Sequence, residues 1–125
     1  MRDKEVILKL TKELIGFCQR ADQIYEDVRS TGKEKDFYND VKPFADKVQL
    51  ASLEWADSMK VWMREERFQH LFPQQIDQTV QNLSDVAVQA FFPKTSYKRF
   101  KSHVQSVQFI LQSALHEINK KVNHG

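Results

Sequence analysis

The sequence has few of the residues that interrupt or cross-link a chain. Of its 125 residues, three are glycine, three are proline and one is cysteine. Hairpin turns depend on glycine and proline, so this scarcity argues against a fold built from many short strands. The single cysteine, Cys18, cannot form an internal disulfide, which fits a reducing compartment. A free buried cysteine usually behaves as a small apolar residue, so we predict a structural role for Cys18 rather than a catalytic one.

Long apolar runs and a strong charge of one sign are also absent. No stretch approaches the roughly 18 to 20 apolar residues that span a bilayer, and the N-terminal residues enter a helical pattern rather than the apolar core of a signal peptide. Acidic and basic residues are interspersed, and the formal net charge of +2 is too small by itself to indicate a nucleic-acid or membrane partner. We therefore expect a cytoplasmic protein without a membrane partner that forms one domain over residues 1–125.

Apolar residues at helical spacing dominate what the sequence does contain. The last third shows this most clearly, since apolar side chains recur there at steps of three and four with polar residues between them. They are Tyr97, Phe100, Val104, Val107, Leu111, Ala114, Ile118 and Val122. Such a stripe predicts an amphipathic helix over residues 97–122, capped by Thr95 or Ser96.

The same spacing predicts three earlier helices, over residues 3–30, 37–67 and 73–91. Pro43 lies inside the second pattern and predicts either a kink or a short separate first turn; we favour the kink because the apolar phase continues across it. Four helices with short connections predict an all-α fold, an up-down-up-down antiparallel four-helix bundle.

Two predictions concern the core of this bundle. Trp55 lies on the inward stripe of the second helix and should be among the most buried residues. Residues 68–72 carry too many apolar groups for a solvated loop, so we expect them to fold over the open end of the bundle.

Short motifs along most of the chain point to one family. They are Asp36-Phe37-Tyr38, Val41-Lys42-Pro43, Trp55-Ala56, Phe91-Phe92 and Lys98-Arg99-Phe100. In these motifs the chain resembles the YppE-like proteins, small uncharacterised proteins of bacilli and related Gram-positive bacteria. The resemblance implies a four-helix bundle. It implies no activity, so it supplies no functional residues.

Motifs for catalysis or metal binding are scarce. Ferritin-like di-iron bundles need Glu-x-x-His on two helices, and this spacing does not occur in the sequence. The histidines fall on three or more different faces of the predicted helices, so we predict no metal site and no cofactor. They are His70, His103, His116 and His124. Phosphate-binding glycine loops and nucleophile elbows are also missing from the sequence, and we expect a protein that is not an enzyme.

One catalytic alternative remains at the end of the second helix. Arg64 and His70 resemble the arginine–histidine motif of small helical HEPN-type ribonucleases. In such a site the arginine would stabilise the charge of a phosphate while the histidine moves a proton. Glu65 departs from that motif, and an exposed helix end rich in Arg and Glu is the structural alternative.

A basic cluster near the start of the fourth helix is electrostatically unfavourable, because the first helical turn already carries a positive partial charge. The cluster consists of Lys94, Lys98, Arg99 and Lys101. One explanation is ion pairing with acidic residues of neighbouring helix ends, and we then expect Lys98 or Arg99 to pair. The acidic candidates are Glu26, Asp27, Asp36 and Asp40. The other explanation is a site for a small anion or a nucleic-acid phosphate, formed by Lys98, Arg99 and Lys101.

Three large apolar residues fall on the outward side of the predicted helices. Phe109 lies about 200° around the helix from Val107, and Leu50 and Leu53 lie outward on the second helix. Scattered apolar residues are common on protein surfaces, but aromatic anchors also carry binding energy at interfaces. We therefore expect function through protein contacts, with an unknown protein partner or by self-association. A nucleic-acid-associated protein is the alternative.

Overall fold

Four long helices run along the molecule in a computed structural model that describes residues 3–124. They are α1 (Lys4–Thr31), α2 (Lys42–Glu65), α3 (Pro73–Gln89) and α4 (Tyr97–His124). α1 packs against α2 and α4, α3 packs against the same two helices, and α1 also contacts α3 across the bundle. The architecture is the predicted four-helix bundle. Within the described residues, no helix is long and apolar enough to cross a membrane.

Local backbone chemistry sets where the helices begin and end. Gly32 ends α1 in the left-handed conformation, with φ of 68°, and its N–H donates to the carbonyl of Val28. Of the two predicted capping residues, Ser96 is the one that directly precedes α4. Its carbonyl accepts the N–H of Phe100 at 2.9 Å, and its hydroxyl accepts the N–H of Arg99 at 3.4 Å.

The interruption predicted near Pro43 is a π-helical turn, Phe37–Val41, that leads directly into α2, and not the kink that we favoured. Pro43 lies in the first turn of α2 and has no N–H to donate to the carbonyls of the preceding π-helical turn. Asp36 caps the π-helical turn by accepting the N–H of Asn39 at 2.7 Å. α2 ends at Glu65, earlier than predicted, because the next residue is extended.

The core is one continuous cluster to which all four helices contribute. Trp55 is fully buried, as predicted. Its indole Nε1 donates to the hydroxyl of Thr11 at 2.9 Å, and that hydroxyl donates to the carbonyl of Ile7 at 2.8 Å. Thr11 is itself fully buried, although it lies outside the apolar pattern. The buried indole N–H therefore has the partner that such a group requires.

The segment between α2 and α3 covers the open end of the bundle in part. Phe68 and Leu71 are buried, as predicted, and the Phe68 ring meets the Trp62 ring edge to face with centroids 5.3 Å apart. Phe72 is 57% exposed, so the prediction is wrong for this residue. It lies at the N-cap of α3, where the backbone is extended.

Candidate functional site

Phe109 is the most prominent exposed apolar residue on α4. It is 70% exposed, and Leu50 and Leu53 on α2 are 64% and 50% exposed, so all three side chains point outward as predicted. α2 and α4 each pack beside α1 and α3 and occupy opposite corners of the bundle. Phe109 and the leucine pair therefore form two separate patches.

The face around Phe109 also lacks charge, which the sequence analysis missed. Residues 102–115 include no Asp, Glu, Lys or Arg, although these make up 29% of the chain. The exposed residues of this stretch are Ser102, Gln105, Ser106, Phe109 and Gln112. They recur at steps of three and four, so they lie on one side of α4. We call this surface the uncharged face of α4; a window count of charged residues along the sequence would have found it.

The leucine patch on α2 has a different setting. Leu50 and Leu53 border a shallow hollow together with Asp46. Asp46 forms an ion pair with Lys42 at 2.8 Å on the same exposed side of the helix. Apolar and charged groups are thus mixed on α2, whereas they are separated on α4.

Lys101 joins the basic end of α4 to α1, in place of the Lys98 or Arg99 pair that we expected. Its Nζ lies 2.6 Å from Asp22 Oδ1 and 2.9 Å from Glu26 Oε1. Burial alone would lower the pKa of Lys101, but the hydrogen bonds and charges of the two carboxylates outweigh it and hold the pKa above its ordinary value. Lys98 and Arg99 are exposed, and neither side chain forms an ion pair within residues 3–124.

The aromatic ring of Tyr97 contacts two cations at the basic end of α4. Tyr97, which begins the predicted apolar stripe, is exposed rather than buried. The Arg29 guanidinium lies 5.0 Å from its ring centroid and the Lys101 ammonium lies 5.4 Å from it. Arg29 also donates to the hydroxyl of Tyr25, which donates to the carbonyl of Thr95 at 2.6 Å. Cation–π and hydrogen-bond contacts therefore stabilise cations near the positive end of the helix dipole.

Arg64 and His70, the two residues of the ribonuclease alternative, lie on different elements: Arg64 belongs to α2, and His70 belongs to the segment between α2 and α3. Arg64 is exposed in the last turn of α2. His70 instead lines a pocket of about 200 Å³ with Arg67, His116 and Lys120, between residues 66–72 and α4. We call it the loop pocket.

Glu117 organises the loop pocket, and the sequence analysis did not identify it. Only 7% of this acidic residue is exposed. Its Oε1 accepts the backbone N–H of Gln69 at 2.6 Å, and its Oε2 accepts that of His70 at 3.2 Å. One turn further along α4, Lys121 Nζ donates to the carbonyl of Arg67 at 2.8 Å. Two residues of α4 thus fix the backbone of the loop at three points.

A larger hollow of about 320 Å³ lies beside the π-helical turn. Phe44 and Phe91 belong to its lining, and their rings meet at 5.9 Å between centroids. Charged side chains of both signs surround them, namely Arg20, Lys35, Lys47, Asp27 and Asp40. Because cations and carboxylates both line this hollow, its charge does not favour a ligand of one sign.

Metal-ligand and nucleophile chemistry have little geometric support. Among the described residues, no three His, Cys, Asp or Glu side chains converge closely enough to hold a metal ion. The side chain of His124 lies outside the described part. Burial, reinforced by the charge of Asp22, raises the pKa of the Cys18 thiol to about 12 against an opposing hydrogen bond from Gln108, so the thiol stays protonated.

Comparisons with known proteins agree with this fold. The family model for a bacterial domain of unknown function, DUF1798, matches residues 11–118. The uncharacterised protein YppE of Bacillus subtilis (strain 168) is 20% identical over 117 residues, covering 94% of this chain and 95% of that protein. The crystal structure of YppE superimposes with a TM-score of 0.93, at 20% identity and with 98% and 99% of the two chains covered. A protein of unknown function from Listeria innocua gives a TM-score of 0.91, at 28% identity and with 96% of each chain covered.

Proposed function

The chain belongs to the DUF1798 family of bacterial proteins, and from that premise we propose that it is a non-enzymatic cytoplasmic protein that acts through protein contacts. The contact that we propose is with a second copy of itself, through the uncharged face of α4. The protonated thiol of Cys18 supports a role without nucleophilic catalysis, and a single free cysteine fits the reducing cytoplasm.

The exposure of Phe109 is the observation that carries this proposal. A phenylalanine that is 70% exposed leaves most of its apolar surface in water, and covering it recovers roughly 25 cal/mol for each Å² removed from solvent. Cores of protein interfaces are enriched in aromatic residues and depleted in charged ones. An exposed aromatic residue and a lack of charged residues occur together on the uncharged face of α4. They do not occur together around Leu50 and Leu53 on α2.

Symmetry favours a second copy as the occupant. In a two-fold contact, residues near the axis face their own equivalents, so a charged residue there would meet a like charge. Residues 102–115 avoid this repulsion because they carry no charged side chain. Ser102 and Ser106 are small, so two antiparallel α4 helices could approach until each Phe109 packs against the other helix.

The size of the face sets the expected strength of the dimer. Fourteen helical residues extend about 21 Å, and a helix with its side chains is about 10 Å wide. Stable interfaces bury about 800 Å² on each partner, more than one helix face of this length provides. We therefore expect a reversible dimer that dissociates on dilution.

Sedimentation velocity across a range of protein concentrations tests the proposal. We expect the weight-average sedimentation coefficient of the wild type to rise with concentration, and Phe109→Ser to remain monomeric with unchanged thermal stability. Leu53→Ser is the matched control, because it also replaces a half-exposed apolar residue by serine but leaves α4 intact. A wild type that stays monomeric at every concentration contradicts the proposal, as does a Leu53→Ser variant that dissociates like Phe109→Ser.

A second candidate function is association with nucleic acid through the basic end of α4. The observation that favours it is that Lys98 and Arg99 are exposed and unpaired within residues 3–124. Binding of DNA or RNA that weakens steeply with salt, and that Lys98→Gln with Arg99→Gln removes, would support this candidate. Absence of binding at low salt would eliminate it.

A further inference from the structure

The loop pocket is lined entirely by polar side chains, most of them basic. Arg67, His70, His116 and Lys120 all border it. None of these four side chains forms a hydrogen bond or an ion pair with another residue in the described chain. Their donors are therefore directed at solvent or at a ligand. This arrangement differs from the mixed charges around the larger hollow.

The acidic group in the pocket does not compete for these donors. Both oxygens of Glu117 accept backbone N–H groups of the loop. Lys121, the remaining cation of the lining, donates to the Arg67 carbonyl and lies 3.6 Å from Glu66 Oε2. The lining therefore holds three cations, Arg67, Lys120 and Lys121, against the one carboxylate of Glu117, and neither Arg67 nor Lys120 forms an ion pair within the described residues.

The loop is held in place before any ligand arrives. Glu117 and Lys121 fix its backbone, and the Lys121 ammonium lies 4.6 Å from the ring centroid of Phe68, which is buried. The backbone that carries Arg67 and His70 is therefore positioned before a ligand binds, so only the side chains must become ordered on binding.

We propose that the loop pocket binds a phosphate-type oxyanion through Arg67 and Lys120, with the imidazoles of His70 and His116 as additional N–H donors. Guanidinium groups bind phosphate oxygens in a bidentate manner, and lysine supplies a point charge. A volume of about 200 Å³ lies below the range of roughly 300 to 1,000 Å³ that is usual for drug-sized ligands. The pocket therefore suits a single phosphate group, whether free or projecting from a nucleic-acid backbone.

Amide NMR titration at constant ionic strength tests this inference, with inorganic phosphate as one probe and a short single-stranded RNA as the other. We expect saturable shifts of the Gln69, His70 and Lys120 amides. The double variant Arg67→Gln with Lys120→Gln should weaken binding by about tenfold or more, as expected for lost charged hydrogen bonds. If RNA shifts the same amides at lower concentration than phosphate does, the ligand is a nucleic-acid phosphate; if phosphate alone does so, the ligand is a free anion.

The control variant is Lys9→Gln with Lys12→Gln, which removes the same charge from exposed positions on α1. It should leave phosphate binding unchanged. The inference is overturned if the wild type shows no saturable shifts, if the control weakens binding equally, or if the shifts centre on Lys98 and Arg99. Each result is independent of Phe109, so it leaves the proposed self-association to its own test.

Discussion

The hydrogen bond between Trp55 and Thr11 permits a quantitative test of the core. Both side chains are fully buried, and the indole N–H has the Thr11 hydroxyl as its acceptor. Thr11→Val keeps the shape of the side chain but leaves that N–H without a partner. An unsatisfied buried donor costs about 1 to 3 kcal/mol, so we expect the free energy of unfolding to fall by about that amount.

Trp55→Phe provides the second arm of a double-mutant cycle. It removes the indole N–H and part of the ring volume, so it should cost less than the roughly 3 to 5 kcal/mol expected for Trp55→Ala. In this background the Thr11 hydroxyl still donates to the Ile7 carbonyl, and Thr11→Val orphans no indole donor. The threonine substitution should therefore cost at least about 1 kcal/mol less in the phenylalanine background than in the wild type.

Urea unfolding followed by far-UV circular dichroism measures all four proteins, because the helical signal does not depend on which aromatic residue is present. Additive effects within about 0.3 to 0.5 kcal/mol would refute the assigned hydrogen bond. A Thr11→Val variant as stable as the wild type would show that the N–H finds another acceptor.

Four further substitutions test separate parts of the structure by urea unfolding. Lys101→Met should cost about 1 kcal/mol because the ion pairs are partly exposed. Because the pKa of Lys101 is raised in the folded state, this difference in the free energy of unfolding should persist from neutral pH up to the ordinary pKa of 10.5 and disappear as pH rises through the folded pKa. A difference that stays constant over this range would contradict the pairing. Glu117→Gln replaces one acceptor oxygen by a donor, so it should cost about 1 to 3 kcal/mol and speed hydrogen exchange in the loop, and wild-type stability would refute its capping role. A Cβ added at Gly16 or at Gly32 would meet no atom within 4 Å. We nevertheless expect Gly16→Ala, at a helical position, to raise the free energy of unfolding by about 0.5 to 1 kcal/mol, and Gly32→Ala, at a left-handed position, to lower it by about 1 kcal/mol. Changes of the same sign would refute this backbone argument.

The helical architecture was predictable because burial imposes a period on the sequence. Trp55 lies in phase with its inward stripe, and Phe109 lies out of phase with the stripe of α4, so their opposite exposures followed from spacing alone. Pro43 was harder, because a missing N–H can be accommodated by a kink, a separate turn or a π-helical turn. Periodicity does not distinguish among these outcomes.

Contacts between helices were less predictable, because spacing gives the face of a residue but not the axial offset of its neighbours. The acidic residues expected near the basic end included Glu26 but not Asp22, one turn earlier on α1. Lys98 and Arg99 are close to Lys101 in sequence, but only Lys101 faces α1. An offset of one helical turn, about 5.4 Å, is enough to decide which cation is paired.

Glu117 shows why the loop pocket could not be predicted from helical spacing. It follows three residues after Ala114 and directly precedes Ile118, so it lies at the edge of a buried stripe, where a carboxylate normally remains in water. Its burial depends on residues 66–72, an aperiodic segment whose free backbone N–H groups need acceptors. The carboxylate accepts the N–H groups of the loop, so each provides the hydrogen-bond partner that the other needs. The apolar spacing of α4 does not indicate the free N–H groups of the loop, and the loop sequence does not indicate the buried carboxylate. A sequence search for such positions would therefore look for two features together. One is an isolated acidic residue at the margin of an apolar stripe, and the other is an aperiodic apolar segment that the topology places over the same end of the bundle.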